Sequence, residues 1–328
     1  MFTKIFLPIL RFSLKCCKLL GCLPYFFKGE QIETRHGRTI RCWQISCVFL
    51  LAVQFLDLIK GDALLGNKLV ALSMLIMTSA TAVLRSNLRP ELVPATLLNV
   101  MKTVEASGVL GIATPTRLTS VVNFIVGACF TAISTYPIPA TMVTIFLPCQ
   151  PPFLVSLYMR WVVMEPESCS GHLFWNLSST LDATVRTVLL LSDLLFNVQF
   201  AFIAPFYVVN VVLLIIVCTL QYLTLLKMEV TQAVQQQNWN KFVSFITIYK
   251  RIQLFNALSN DCIRGRIFAV LLFATPLLQI LSAFIFIKLG EELPVVIVFW
   301  FGCFYVATIV FILGFLSAAG KPYSISNA

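Results

Sequence analysis

Charge is what this chain has least of. Of its 328 residues, 12% are Asp, Glu, Lys or Arg, while 59% are hydrophobic. A soluble domain carries about 25% charged residues, so a water-soluble enzyme or binding module is excluded at the outset. Histidine is nearly missing: His36 and His172 are the only two, and both fall in polar connections. The sequence contains no Cys-x-x-Cys, no His-Glu-x-x-His, no phosphate-binding glycine loop and no nucleophile elbow. Its 11 cysteines follow no metal-ligand spacing. With no catalytic constellation, no metal site and no cofactor motif, the chain reads as a non-enzyme. Ten-residue stretches of alternating polarity, the mark of a membrane barrel, are also lacking.

What the chain has instead is long apolar runs: Cys42–Ile59, Leu64–Leu84, Leu118–Leu147, Thr184–Leu226, Ile267–Leu289 and Leu293–Ser317. A helix of about 20 apolar residues crosses roughly 30 Å of hydrocarbon. Lipid offers the backbone no hydrogen-bond partner, so each run is expected to be helical. The expected fold is all-α: a polytopic membrane helical bundle of six spans with cytoplasmic helical extensions. It divides into a cytoplasmic N-terminal segment, residues 1–41, and a transmembrane helical domain, residues 42–328, with a cytoplasmic helical loop at 227–266. The run Leu118–Leu147 holds Pro137 and Pro139 and reads as a crossing with a kinked outer end. The run Thr184–Leu226 is long enough for a hairpin of two spans broken near Pro205. Ala204 and Phe206 around that proline are not turn residues, so one long protruding helix is the preferred reading.

The basic residues set the orientation. Cytoplasmic flanks collect Lys and Arg. With the N-terminus inside, 19 of the 24 basic residues fall on the cytoplasmic side; Lys60, Lys68, Arg160, Arg186 and Lys288 fall outside. A hairpin at Pro205 would move Lys227, Lys241, Lys250, Arg251, Arg264 and Arg266 outside as well. The net charge of +10 thereby has a membrane explanation, and no nucleic-acid-binding motif offers another. Asn176-Leu177-Ser178 is an N-glycosylation acceptor and falls in the outer loop between the third and fourth runs. Cys149 and Cys169 share that loop and either form a disulfide in an oxidising compartment or remain two thiols. The expected location is the plasma membrane, multi-pass, with a cytoplasmic N-terminus.

Arg11, Lys15 and Lys18 interrupt the first apolar stretch, so it is not a signal peptide. It reads as a basic helix on the inner leaflet. Cys16, Cys17 and Cys22 beside it are placed for S-acylation, ordinary reduced thiols being the plainer reading. Asp193 is the main ionisable residue inside an apolar run, with Asn197 one helical turn later. Intramembrane ionisable groups are functional candidates; the plainer reading is that the crossing begins after Asp193. In the N-inside orientation Tyr136, Asp193, Asn197 and Trp300 all fall in the outer half. They are the candidates for a small-molecule pocket, while interfacial anchoring equally accommodates Tyr136 and Trp300. Asp57 closes the first run and is expected to face headgroups. The segment from Glu229 to Asn238 and the apolar-periodic stretch through Phe242, Phe245, Ile246, Tyr249 and Ile252 read as two cytoplasmic helices packed on the end of the fourth span.

The layout resembles the arthropod chemoreceptor superfamily of gustatory and odorant receptors. The resemblance rests on the inside N-terminus, the Gly-x-x-Pro element Gly21-Cys22-Leu23-Pro24-Tyr25, the long fourth helix, and the pattern Tyr249-Lys250-Arg251-Ile252-Gln253-Leu254-Phe255-Asn256-Ala257-Leu258-Ser259-Asn260 before the fifth span. It covers most of the chain through short motifs. It implies a ligand-gated, non-selective cation channel for sensory perception. Homo- or hetero-tetramers of related subunits would surround one pore, each with a small-molecule pocket in its outer half. The family's seventh span, which lines the pore, has no counterpart before Ala328, so truncation is expected and no pore residue is carried over. Two other classes stay open. A G-protein-coupled heptahelical receptor normally has an outside N-terminus and an Asp-Arg-Tyr-type motif after its third span, which is lacking here. A transporter would show an internal repeat, and none stands out.

Overall fold

The computed structural model describes residues 6–35, 38–60, 65–86, 92–106, 124, 127, 131, 137–150, 153–163, 173–174, 179–237 and 240–326. Helix α1 (Leu7–Leu20) starts with a proline in its first turn and ends at Gly21, whose φ of 62° is left-handed. The Cys22 N–H donates to the Cys17 carbonyl at 3.1 Å and closes the helix end. A Cβ at Gly21 would stand 2.8 Å from Thr39 Cγ2, so this position needs glycine for space as well as conformation. The Gly-x-x-Pro element therefore has a local meaning: it stops α1 and starts a hairpin.

That hairpin pairs β1 (Tyr25–Lys28) with β2 (Gln31–Thr34) in antiparallel register, Lys28 facing Gln31. Gly29, at φ 61°, takes the first central turn position, as in a type II′ turn. A two-stranded hairpin alone is marginal. Here the Asn99 side chain on α4 (Leu92–Ala106) acts as a third strand: Ile32 N–H donates to Asn99 Oδ1, and Asn99 Nδ2 donates to the Ile32 carbonyl, both at 2.9 Å. The fold is thus largely rather than wholly α-helical.

The remaining elements are α2 (Arg38–Lys60), α3 (Leu65–Arg85), α5 (Pro137–Phe146), α6 (Leu154–Val163), α7 (Thr180–Gln235), α8 (Asn240–Arg264), α9 (Arg266–Lys288) and α10 (Val295–Ser326). Among the described residues four helices, rather than six, are long and apolar enough to cross a membrane: Arg38–Ile59, Leu65–Arg85, Thr180–Gln235 and Arg266–Lys288. The third apolar run lies largely outside the described residues, with α5 as its described end. The last run falls in α10, a helix of 32 residues, whose described apolar stretch is Val295–Val310. The architecture is a polytopic helical membrane bundle.

The long fourth run is one helix. It continues through Pro205 for 56 residues, roughly 84 Å at 1.5 Å per residue. Proline removes one N–H from the ladder, yet the helix continues without a reversal, with wider π-type turns following at Val208–Leu213. This helix is the centre of the bundle. Of its most apolar window 76% is buried inside the protein, against 22%, 39% and 17% for α2, α3 and α9. Apolar residues all round are therefore used differently: α7 buries them in protein, while α2 presents Ile45, Phe49 and Phe55 and α9 presents Phe273, Ile280 and Ile287 on the outside. Along α3, hydroxyls inside the apolar helix are satisfied locally. Ser73, Thr78 and Thr81 each donate to the carbonyl four residues earlier.

Below the bundle, α7 runs on to Gln235 and α8 packs against it and α4. Of the two helices expected between Glu229 and Ile252, the first is the continuation of α7 and the second is α8. Helix α1 does not simply lie on lipid. Leu7, Leu10, Leu14 and Cys17 join one apolar cluster with Ile203 and Phe206 of α7, while Arg11 and Lys15 face outward. Cys17 and Cys22 are fully buried in that cluster. A side-chain hydrogen bond with Cys22, then burial, push the Cys17 thiol far above its usual range. Neither cysteine is presented for S-acylation; Cys16 is partly exposed.

Candidate functional site

Asp193 is buried on α7, 5% exposed, and its role is visible in its partners. Oδ1 accepts the Leu154 N–H at 3.1 Å and Oδ2 accepts the Val155 N–H at 3.3 Å. These are first-turn donors of α6. A helix start leaves such N–H groups orphaned, and Phe153 at the cap position has no side-chain oxygen to offer. Asp193 supplies the cap from another helix, where the partial positive charge of the helix start also favours a carboxylate. At ~15 Å, α6 is too short to cross a bilayer.

Two further clamps hold α6. Tyr158 Oη donates to Asp182 Oδ1 at 3.0 Å, and Arg160 pairs with the Asp57 carboxylate. Asp57 was expected among headgroups. It is instead buried, because a basic partner from α6 reaches it across the bundle. Asp182 is held in turn by Arg186, one turn along α7: Nε to Oδ1 at 3.0 Å and Nη2 to Oδ2 at 2.7 Å. The third arm of Arg186 donates to the Leu173 carbonyl at 2.7 Å. Ser179 Oγ accepts the Asp182 N–H at 3.2 Å and so caps the start of α7. Arg186, 1% exposed, is among the largest fully buried side chains. Charges this deep are tolerated only when paired and hydrogen-bonded.

Of the pocket candidates, Asp193 and Asn197 lie on successive turns of α7 and both are buried. Trp300, on α10, packs against the apolar cluster that includes Phe153. The residue after Phe153 donates its N–H to Asp193. Asn197 stands two residues before Gln199, which accepts from Arg85 in the last turn of α3 at 2.9 Å. It therefore lies toward the end of the bundle where α3 finishes, the inner side of the expected orientation rather than the outer half. Trp300 lies on a different helix, near the start of α10. Tyr136, Asn176 and Cys169 lie outside the described residues. Cys149 is disulfide-bonded. A small cavity of about 20 Å³ lies elsewhere, lined by Met101, Tyr222, Ile248, Arg251 and Phe255. It is large enough for about one water. Among the described residues no cluster of three His, Cys, Asp or Glu side chains could hold a metal ion.

At the N-terminal end a second polar cluster holds the hairpin. Lys102 donates to the Glu30 carbonyl at 2.7 Å and pairs with its carboxylate, which Arg11 also approaches at 3.4 Å. The Lys102 hydrogen bond and charge, with Arg11, hold the Glu30 carboxyl below its ordinary value. No family model, no curated protein and no solved structure matches the chain.

Proposed function

We propose that the chain is a chemosensory receptor subunit of the insect-type gustatory or odorant class: a ligand-gated, non-selective cation channel component of the plasma membrane, N-terminus inside. The observation that carries this reading is the fourth helix. It runs unbroken from Thr180 to Gln235 and meets α8, which bears the Tyr249–Asn260 pattern behind the resemblance. A protruding helical block of this kind suits contacts between related subunits in a tetramer. The basic residues gathered at one end of the bundle support the orientation. The ligand is a small molecule taken into the bundle, with Asn197 and Trp300 as the side chains to test. The clamps on α6 keep that helix rigid, and Asp193 acts there as a fixed cap.

The test is electrical. Cells expressing the chain with a related partner subunit are screened with small apolar and tastant-like compounds under voltage clamp. A cation current evoked by a ligand, and altered by N197A or W300A, supports the proposal. Substrate flux without current would assign the chain to the transporters instead.

A further inference from the structure

Arg85 closes α3 and is 6% exposed. One of its nitrogens, Nη1, donates to Gln199 Oε1 on α7 at 2.9 Å. The other two, Nε and Nη2, are buried and have no hydrogen-bond partner among the described residues. These two nitrogens form the side edge of the guanidinium. Their N–H bonds point the same way, in the fork that grips two oxygens of one oxyanion. Gln199 Nε2 is buried and unpartnered as well. All three unsatisfied atoms are donors, so what the group needs is an acceptor.

Among the described residues no carboxylate supplies one. The titratable groups facing Arg85 are the thiols of Cys22, Cys47 and Cys17 and the phenol of Tyr207. Two side chains reach the carbonyls at this helix end: Arg266, another cation, donates to the Leu84 carbonyl at 3.1 Å, and Gln44 donates to the Arg85 carbonyl at 2.7 Å. These two bonds cap α3 and fix where its last residue stands. A buried guanidinium with an open fork is strongly unfavourable unless something anionic completes it.

Depth selects the anion. Helix α3 has 21 residues, about 31 Å in length, which matches the hydrocarbon thickness. Its last residue therefore stands at headgroup level, where phosphates are the abundant oxyanions. An arginine there usually snorkels outward; Arg85 is turned inward and held by Gln199. We propose that the open edge of Arg85, together with the Gln199 amide, is a built site for a phosphate-class oxyanion between α3 and α7. The phosphate belongs to a lipid headgroup or is free in solution, and the site joins the central helix to the membrane surface or to the aqueous phase accordingly.

The experiment uses the full chain in phosphatidylcholine nanodiscs and reads the thermal unfolding midpoint. Two probes are compared: phosphatidic acid in the bilayer, and inorganic phosphate against chloride at equal ionic strength. A rise of about 5 °C with phosphatidic acid alone identifies a lipid phosphate. A rise with inorganic phosphate identifies the free anion. Arg85→Lys keeps the charge but loses the fork, and is expected to weaken the apparent affinity about tenfold or more; Arg85→Gln abolishes the rise. The wild-type titration stands even where a variant does not fold. No rise with either probe, or equal rises in wild type and in both Arg85 variants, overturns the proposal.

Discussion

The carboxylate of Asp193 caps a helix that begins 39 residues earlier, at Leu154. Both of its oxygens are engaged, one by Leu154 and one by Val155. An ionisable residue in an apolar helix here does the work that a serine or aspartate normally does at its own helix start. Asp193→Ala is therefore expected to destabilise the protein by about 1–2 kcal/mol. Asp193→Asn, which keeps one acceptor oxygen, should recover part of that loss. Thermal unfolding in detergent measures both. An alanine variant as stable as wild type would mean that α6 needs no cap.

Arg186 and Asp182 form the most deeply buried ion pair described. Removing one partner leaves a buried charge short of its counter-charge. Arg186→Met should cost about 3–5 kcal/mol. The double variant Asp182→Leu, Arg186→Met should cost less than Arg186→Met alone, because it leaves no orphaned charge. A double-mutant cycle in unfolding free energy checks the sign of the coupling.

The hairpin clasp depends on pH. The Glu30 carboxyl is held below its ordinary value by the Lys102 hydrogen bond and charge and by Arg11. A depressed folded value means stability that is present above the unfolded value of about 4.3 and is lost as pH falls through the folded one. Docking of β1–β2 on α4 should loosen in that acidic window, and loosen further with salt. Amide hydrogen exchange at Ile32, whose N–H is held by Asn99 of α4, followed with pH in wild type and Glu30→Gln, reads this. An acid response identical in the two proteins would assign it elsewhere.

Gly21 links α1 to the hairpin in a left-handed conformation. Gly21→Ala adds backbone strain of roughly 1–2 kcal/mol and a contact with Thr39 that must give way. The N-terminal segment should then become the first site of limited proteolysis. Unchanged cleavage kinetics would show that α1 is anchored independently of this turn.

Much of the bundle was legible in apolar run length, because lipid leaves the backbone no other choice. The single helix through Pro205 was legible too: with no turn residue beside the proline, the helix continues rather than reverses. The hairpin was missed as a strand pair although its signal was present, with Gly29 at the first turn position between Phe26-Phe27-Lys28 and Gln31-Ile32-Glu33. The clamps were not legible at all. Asp57 finds Arg160, and Arg85 finds Gln199, across 103 and 114 residues. No local period marks a partner at that distance. Asp193 could be picked out by its chemistry, yet its role depends on where α6 ends up, which run length does not encode.

The central claim is that α7 crosses the membrane once and carries its lower end, with α8, to the side of the N-terminus. An epitope inserted in the exposed turn at Gln237, where φ is 52°, tests it directly by antibody staining of intact and permeabilised cells. Staining only after permeabilisation is the predicted result. Staining of intact cells would mean that the helix reverses within the bilayer or that the whole bundle is inverted, and the channel assignment would fail with it.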